Sequence, residues 1–220
     1  MKESNHPKLK KENWTILRKN QYNLLKSFFD TIPNKSDVLD IGCGPSPFRD
    51  LYSKFKLTSV DWEKQEMVDL VVDLEKELPF VDESFDMVTS TNTFEHLYTD
   101  KSIFESNRVL RNGGWIIGSV PFLISVHQAP HDYHRFTRFA VERKLKDAGY
   151  KNIKVVEIGT AYDVVWHTTR QMFMKAFEKN RFMAKISWNL LKIYFFVFRK
   201  FLSSVENKNM CLGYMFYAQK

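Results

Sequence analysis

Residues 38–48 read VLDIGCGPSPF, a short apolar run interrupted by Asp40 and delivered straight into a turn of small residues. A buried strand that ends this way marks the ligand end of a sheet. Glycine permits the tight turn and lets a ligand approach the backbone closely. The turn amides, at the amino end of a following helix, suit electronegative groups. A dinucleotide fingerprint would add a third glycine, whereas Gly42-Cys43-Gly44 is followed here by Pro45-Ser46-Pro47. A pyrophosphate is therefore poorly served, and a nicotinamide oxidoreductase becomes a minor reading.

Outward from this turn, strands and helices alternate. Short apolar runs at 37–41, 56–60, 67–74 and 84–90 read as strands, as do 115–122, 151–159 and 211–220. Residues 14–29 repeat apolar positions at three- and four-residue intervals, which predicts an amphipathic helix stopped by Pro33 and Asn34. A second helix is expected from a cap at Asp100 through Leu110, ended by Asn112-Gly113-Gly114, and a third from Thr137 to Gly149. The order implies an α/β, doubly wound domain with helices on both faces. If 211–220 closes the same sheet, the chain divides into a basic helical extension (1–34), a core (35–159), an aromatic-rich helical insertion (160–208) and a final core strand (209–220).

Composition narrows the class. Of 220 residues, 44% are apolar, enough for a substantial core, and two cysteines cannot make a disulfide scaffold. No apolar leader follows Met1 and no run of uncharged apolar residues is long enough to span a bilayer, so a cytoplasmic protein is expected. The net charge is +7. It is concentrated at the two ends: residues 1–26 carry seven Lys/Arg against two Glu, and 175–220 nine against two. Nucleic-acid enzymes more often surround their cleft with positive charge.

Asp61 closes the second strand 19 residues after Gly42, where a carboxylate can accept both hydroxyl hydrogens of a ribose. Trp62 follows and could lie against a purine, and Asp73 is placed for an adenine amino group. Together with the glycine turn, these point to a ribonucleoside-bearing cofactor.

VLDIGCGPSPF (38–48), SVDW (59–62), LPFVDESFDMVTSTNTFEHL (78–97) and RVLRNGGWIIGSVPF (108–122) resemble the class I S-adenosylmethionine-dependent methyltransferases, more narrowly the small-molecule type of methyltransferase domain 11. The resemblance covers about residues 35–159. It implies a Rossmann-like, seven-stranded sheet whose last strand is reversed, with S-adenosyl-L-methionine as cofactor. It also implies that Asp40, Gly42 and Gly44 surround the methionine and sugar, that Asp61 takes the ribose hydroxyls, and that Trp62 flanks adenine. Asp73 and Leu74 would meet the base, and Asn92 and Thr93 the methionine end. Cys43 fills a slot common in the family and is not expected to be a nucleophile. The basic extension and the insertion before the last strand are departures from the pattern.

Methyl transfer to a hydroxyl calls for a base near the acceptor's proton. His96 follows the fourth strand; His131 and His134 follow the fifth, and either is favoured over His96 by a narrow margin. Arg135 could clamp an anionic acceptor or pair with Asp132. His127, His131 and His134 have ligand-like spacing, but no cysteine joins them and no metal is expected. The Asn/Asp-Pro-Pro-aromatic and Pro-Cys motifs of nucleic-acid base methylation are absent where the chain has Ser90-Thr91-Asn92-Thr93-Phe94.

Residues 181–202 form an aromatic-rich helix with Lys185, Lys192 and Arg199 two turns apart on one face. Its cover is the domain's own sheet or a second subunit, as in a homodimer, or an anionic membrane surface at the inner face of a membrane. The reading that results is O-methylation of a small or lipid-linked, sugar-containing acceptor. An RNA methyltransferase and a catalytically inactive cofactor-binding partner subunit are the alternatives.

Overall fold

The computed structural model describes residue 11 and residues 14–177, 181–202 and 209–220. Residues 1–10 and 12–13 of the basic extension lie outside the described residues, as do the side chains of Lys185 and Arg199.

Seven strands form one sheet: β1 (Asp37–Ile41), β2 (Lys56–Asp61), β3 (Leu70–Val71), β4 (Phe85–Thr91), β5 (Leu110–Pro121), β6 (Lys151–Ile158) and β7 (Gly213–Gln219). Their order is β3-β2-β1-β4-β5-β7-β6. β1 to β5 run parallel, and β7 runs antiparallel to both β5 and β6. This is the Rossmann-like methyltransferase sheet with its reversed last strand. The helices are α1 (Ile16–Phe29), α2 (Lys101–Val109), α3 (Arg138–Asp147), α4 (Ala161–Ala176) and α5 (Arg181–Leu202).

Strand alternation divides the core in two. Leu39, Ile41, Val88 and Ile116 face α2 and α3, where Ile103, Val141 and Leu145 meet them. Val38, Met87, Ile117 and Met215 face α1 through Leu25 and Phe29. Thr15 caps α1 by accepting from the Arg18 amide at 3.3 Å, and Thr137 caps α3 from the Ala140 amide at 3.2 Å. α4 and α5 lie in sequence between β6 and β7.

Three local expectations are corrected. The strand expected over 67–74 shrinks to Leu70–Val71, because Asp69 accepts from the Ser59 amide and hydroxyl and Asp73 turns back on the Glu75 amide. Side-chain bonds of this kind compete with the ladder. Asn112-Gly113-Gly114 does not end a helix. α2 stops at Val109, Leu110 already pairs with Phe85, and 111–114 are a bulge within β5. Finally, no α-helix follows the glycine turn. Pro45 and Pro47 supply no amide hydrogens there, and only a single 3-10 turn, Arg49–Tyr52, connects β1 to β2.

Candidate functional site

The parallel strands deliver the turn after β1, the end of β2 and the loops after β3 and β4 to one side of the sheet. They enclose a cleft of about 250 Å3 lined by Gly42, Gly44, Asp61, Trp62, Leu74, Asn92, Thr93 and His96, with Pro45, Glu63, Gln65, Leu97 and Gln128 at its margin. Ligands of open α/β sheets bind at such carboxyl ends, where the strand order reverses. β1 and β4 are the strands that flank this reversal.

Asp61 is buried, and both its oxygens already hold backbone: Oδ2 accepts from the Gly44 amide at 2.8 Å and Oδ1 from the Glu63 amide at 3.2 Å. This clamps the glycine turn to the end of β2. A carboxylate has about four lone-pair sites, so acceptor capacity toward the cleft is left over. Gly44 has φ +50°, and a Cβ there would meet nothing within 4 Å, so its backbone lies open to a ligand. Gly42 differs, since its φ is +68° and a Cβ would fall 2.2 Å from the Thr93 side chain.

Asn92, itself at φ +54°, is fixed by residues far away in sequence. Its Oδ1 accepts from Gln21 Nε2 at 2.7 Å and from Ser119 Oγ at 3.0 Å. The carboxamide NH2 is then the end available to a ligand. Gln21 sits on α1 and is buried, a positioning role that its place in an amphipathic pattern did not reveal.

Other expected site residues stand behind or beside the cleft. Asp40 does not line it. Asp40 is buried under a hydroxyl chain in which Tyr52 donates to Thr89 at 2.9 Å and Thr89 donates to Asp40 at 2.7 Å. Burial pushes its carboxyl up to about 6, against the opposing pull of the Thr89 and Tyr52 hydroxyls and Arg49. Cys43 is buried with its thiol toward the Met67 carbonyl. Burial and the nearby Asp40 and Asp61 push that thiol far up, which rules out a ready thiolate. Asp73 is not brought to the cleft: it is exposed, caps the Glu75 amide and pairs with Lys76 at 3.1 Å.

Of the three candidate bases, His96 lines the cleft. Its Nδ1 bonds to the His131 carbonyl, and its buried Nε2 has no hydrogen-bond partner among the described residues. His131 lies edge-on to Trp62, with ring centroids 5.0 Å apart, and its Nδ1 meets the Tyr133 hydroxyl at 2.7 Å. His134 packs on Phe136 away from the cleft. The loop carrying them is stapled to the turn after β4, because the Tyr133 and His134 amides donate to the Glu95 carbonyl at 2.9 and 3.2 Å. Arg135 grips Asp132 with both nitrogens, at 2.5 and 2.7 Å, and holds its carboxyl far below the ordinary carboxylate range. His127 is shifted upward, first by its contact with Glu95.

A second cavity, of about 590 Å3, lies between the start of α1 and the helices α4 and α5. Trp14, Trp166, Trp188, Lys19, Arg170 and Lys192 line it, and no acid does among the described residues. A wider groove of about 1100 Å3 between α1 and β5–β7 contains none of the expected site residues.

With this geometry in view, comparison with known proteins is direct. Residues 39–118 match the family model described as "Methyltransferase domain". That stretch is similar to a methyltransferase domain. The matched stretch runs from β1 through most of β5 and contains every strand end that builds the cleft. Over 147 residues the chain is 30% identical to an uncharacterized protein of Methanocaldococcus jannaschii; the match spans 63% of each chain. The class I methyltransferase fold recurs in a SAM-dependent methyltransferase from Archaeoglobus fulgidus, 14% identical with a TM-score of 0.61 over 92% of this chain and 94% of that one. It recurs also in phosphoethanolamine N-methyltransferase 2 of Haemonchus contortus, solved in complex with S-adenosyl-L-methionine. That enzyme is 20% identical with a TM-score of 0.57, over 91% of this chain and 52% of that one.

Proposed function

We propose that this protein transfers the methyl group of S-adenosylmethionine to a hydroxyl of a small or lipid-linked, sugar-containing acceptor. The observation that carries the cofactor is the convergence of an open glycine backbone (Gly44), a clamped acid (Asp61) and an indole (Trp62) on one cleft. The methyltransferase-domain match over the same residues supports it. The cofactor supplies a sulfonium methyl that is already electrophilic. The chain's own work is to hold, orient and exclude water. Asp61 would hold the ribose hydroxyls, Trp62 and Leu74 the adenine, and Asn92 and Thr93 the amino-acid end. His96 is the member of the histidine-rich wall that reaches the cleft, so the acceptor's hydroxyl is read as lying against that wall.

The acceptor's character rests on the cavity of three tryptophans and three cations, which suits an apolar body bearing an anionic group. Trp14 lies just before α1, and Gln21 on that helix bonds to Asn92 of the cleft. Such an acceptor fits a cytoplasmic enzyme working at the inner face of a membrane.

The test is calorimetric titration with S-adenosylmethionine, on wild type and on Asp61→Ala. Micromolar-range binding that weakens by about ten- to a hundred-fold in the variant is expected, from loss of charge-assisted hydrogen bonds. Absence of binding to folded wild type free of retained product would overturn the assignment. Methyl transfer from labelled cofactor into lipid extracts, compared with water-soluble metabolites, then tests the acceptor.

A further inference from the structure

Beside the cleft sits a cluster that methyl transfer alone does not explain. Glu95 is fully buried in the 3-10 turn after β4, and neither of its carboxylate oxygens has a hydrogen-bond partner among the described residues. A buried ion left in this way is costly unless something positive completes it. Two imidazole nitrogens face it: His96 Nε2 and His127 Nε2 each lie 3.6 Å from Glu95 Oε1. That separation is too long for hydrogen bonds. It is near the spacing of two donors that share one metal ion.

The surroundings prepare His96 for that role and hold the His127 ring in place. His96 Nδ1 is committed to the His131 carbonyl, which places the proton on Nδ1 and leaves the Nε2 lone pair free. His127 Nδ1 lies 3.3 Å from Asp132 Oδ2, with Arg135 Nη2 at 3.4 Å on the same side. Asp132 is anchored in turn by Arg135 and by the His127 amide, at 2.8 Å. A histidine whose far nitrogen is oriented by a carboxylate or carbonyl is the usual outer arrangement of a metal ligand.

We infer that Glu95, His96 and His127 form a binding site for a divalent first-row transition metal ion, with zinc the first candidate. The three donor atoms lie within 4.8 Å of one another. An ion at about 2 Å per bond would draw the three donors closer together. Two imidazoles and one carboxylate suit zinc, manganese or iron better than magnesium, which prefers oxygen ligands and keeps its waters. Three protein ligands leave at least one coordination position unfilled, and His96 borders the cleft. An acceptor oxygen could occupy that position and lose its proton more readily there. This role rests on the proposed methyl transfer; the metal site itself does not.

The closing experiment reads metal alone. Chelator-stripped protein is dialysed against zinc, and separately against cobalt(II), whose visible ligand-field bands report a protein-bound ion. One ion per chain is expected. Glu95→Gln and His127→Ala should each weaken binding at least about ten-fold and abolish the cobalt bands, while His134→Ala, outside the cluster, retains both. Circular dichroism of each variant separates lost ligands from lost folding, and His127, which is only partly buried, is the variant expected to fold. Wild type that takes up no stoichiometric zinc or cobalt would show a histidine–carboxylate ion pair and nothing more. Binding that survives both substitutions would equally sink the site. Neither outcome touches cofactor binding, which calorimetry measures separately.

Discussion

At Gly42 two demands coincide. Its φ of +68° lies where side chains are strained, and the space a Cβ would need is already taken by Thr93. Gly42→Ala is expected to destabilise the protein by about 2–3 kcal/mol, measured by urea denaturation, with Thr93→Ala recovering part of that loss. The unrecovered part is the backbone cost. Asp40 makes the opposite kind of prediction. Its carboxyl is raised to about 6 by burial, above the unfolded value of 3.8, so the native state favours the protonated form. The penalty for ionising it is absent below about pH 4, grows between 4 and 6, and is complete above 6. Asp40→Asn, which retains an acceptor for Thr89, should therefore raise the melting temperature near neutral pH by an amount worth at most about 3 kcal/mol. The gain should vanish in acid, and a gain independent of pH would refute the account.

Among the elements, those whose buried face is spelled out by neighbouring residues were legible. β1, β2 and β4 are apolar runs bounded by polar turns, and the acid ending β2 declared its place at the cleft. β3 was not legible, because its pairing competes with bonds made by Asp69 and Asp73 that only the folded loop brings into range. The glycines at 113 and 114 were misread for a related reason. Glycine ends helices, but it also permits bulges, and the register of β5 against β4 decides between the two. In the site, Gly42, Gly44, Asp61 and Trp62 could be found because they occupy fixed offsets from strand ends. Gln21 and Glu95 could not, since Asn92 lies 71 residues from the first and His127 lies 32 from the second, and no local pattern marks them.

Across the whole molecule, α5 stands out for the asymmetry of its exposure. Phe195 is 1% exposed against Tyr162 and Trp166 of α4, whereas Phe196, its neighbour, is 80% exposed. Leu190, Ile193 and Val197 join Phe196 in the open. No described helix is long and apolar enough to cross a membrane. A surface-lying arrangement predicts sedimentation with vesicles containing phosphatidylglycerol, weaker with phosphatidylcholine alone, and reduced by Ile193→Ser with Phe196→Ser. Equal binding to both vesicle types, or to neither, would count against it.

β7 comes after the other six strands of this sheet in the chain, yet it fills the gap between β5 and β6. Until residues 213–219 leave the ribosome, a nascent chain holds two facing strands with unsatisfied backbone edges and no template between them. Chaperones that shield open edges would meet this chain late in its translation, and a ribosome stalled before residue 213 would release a product prone to aggregate.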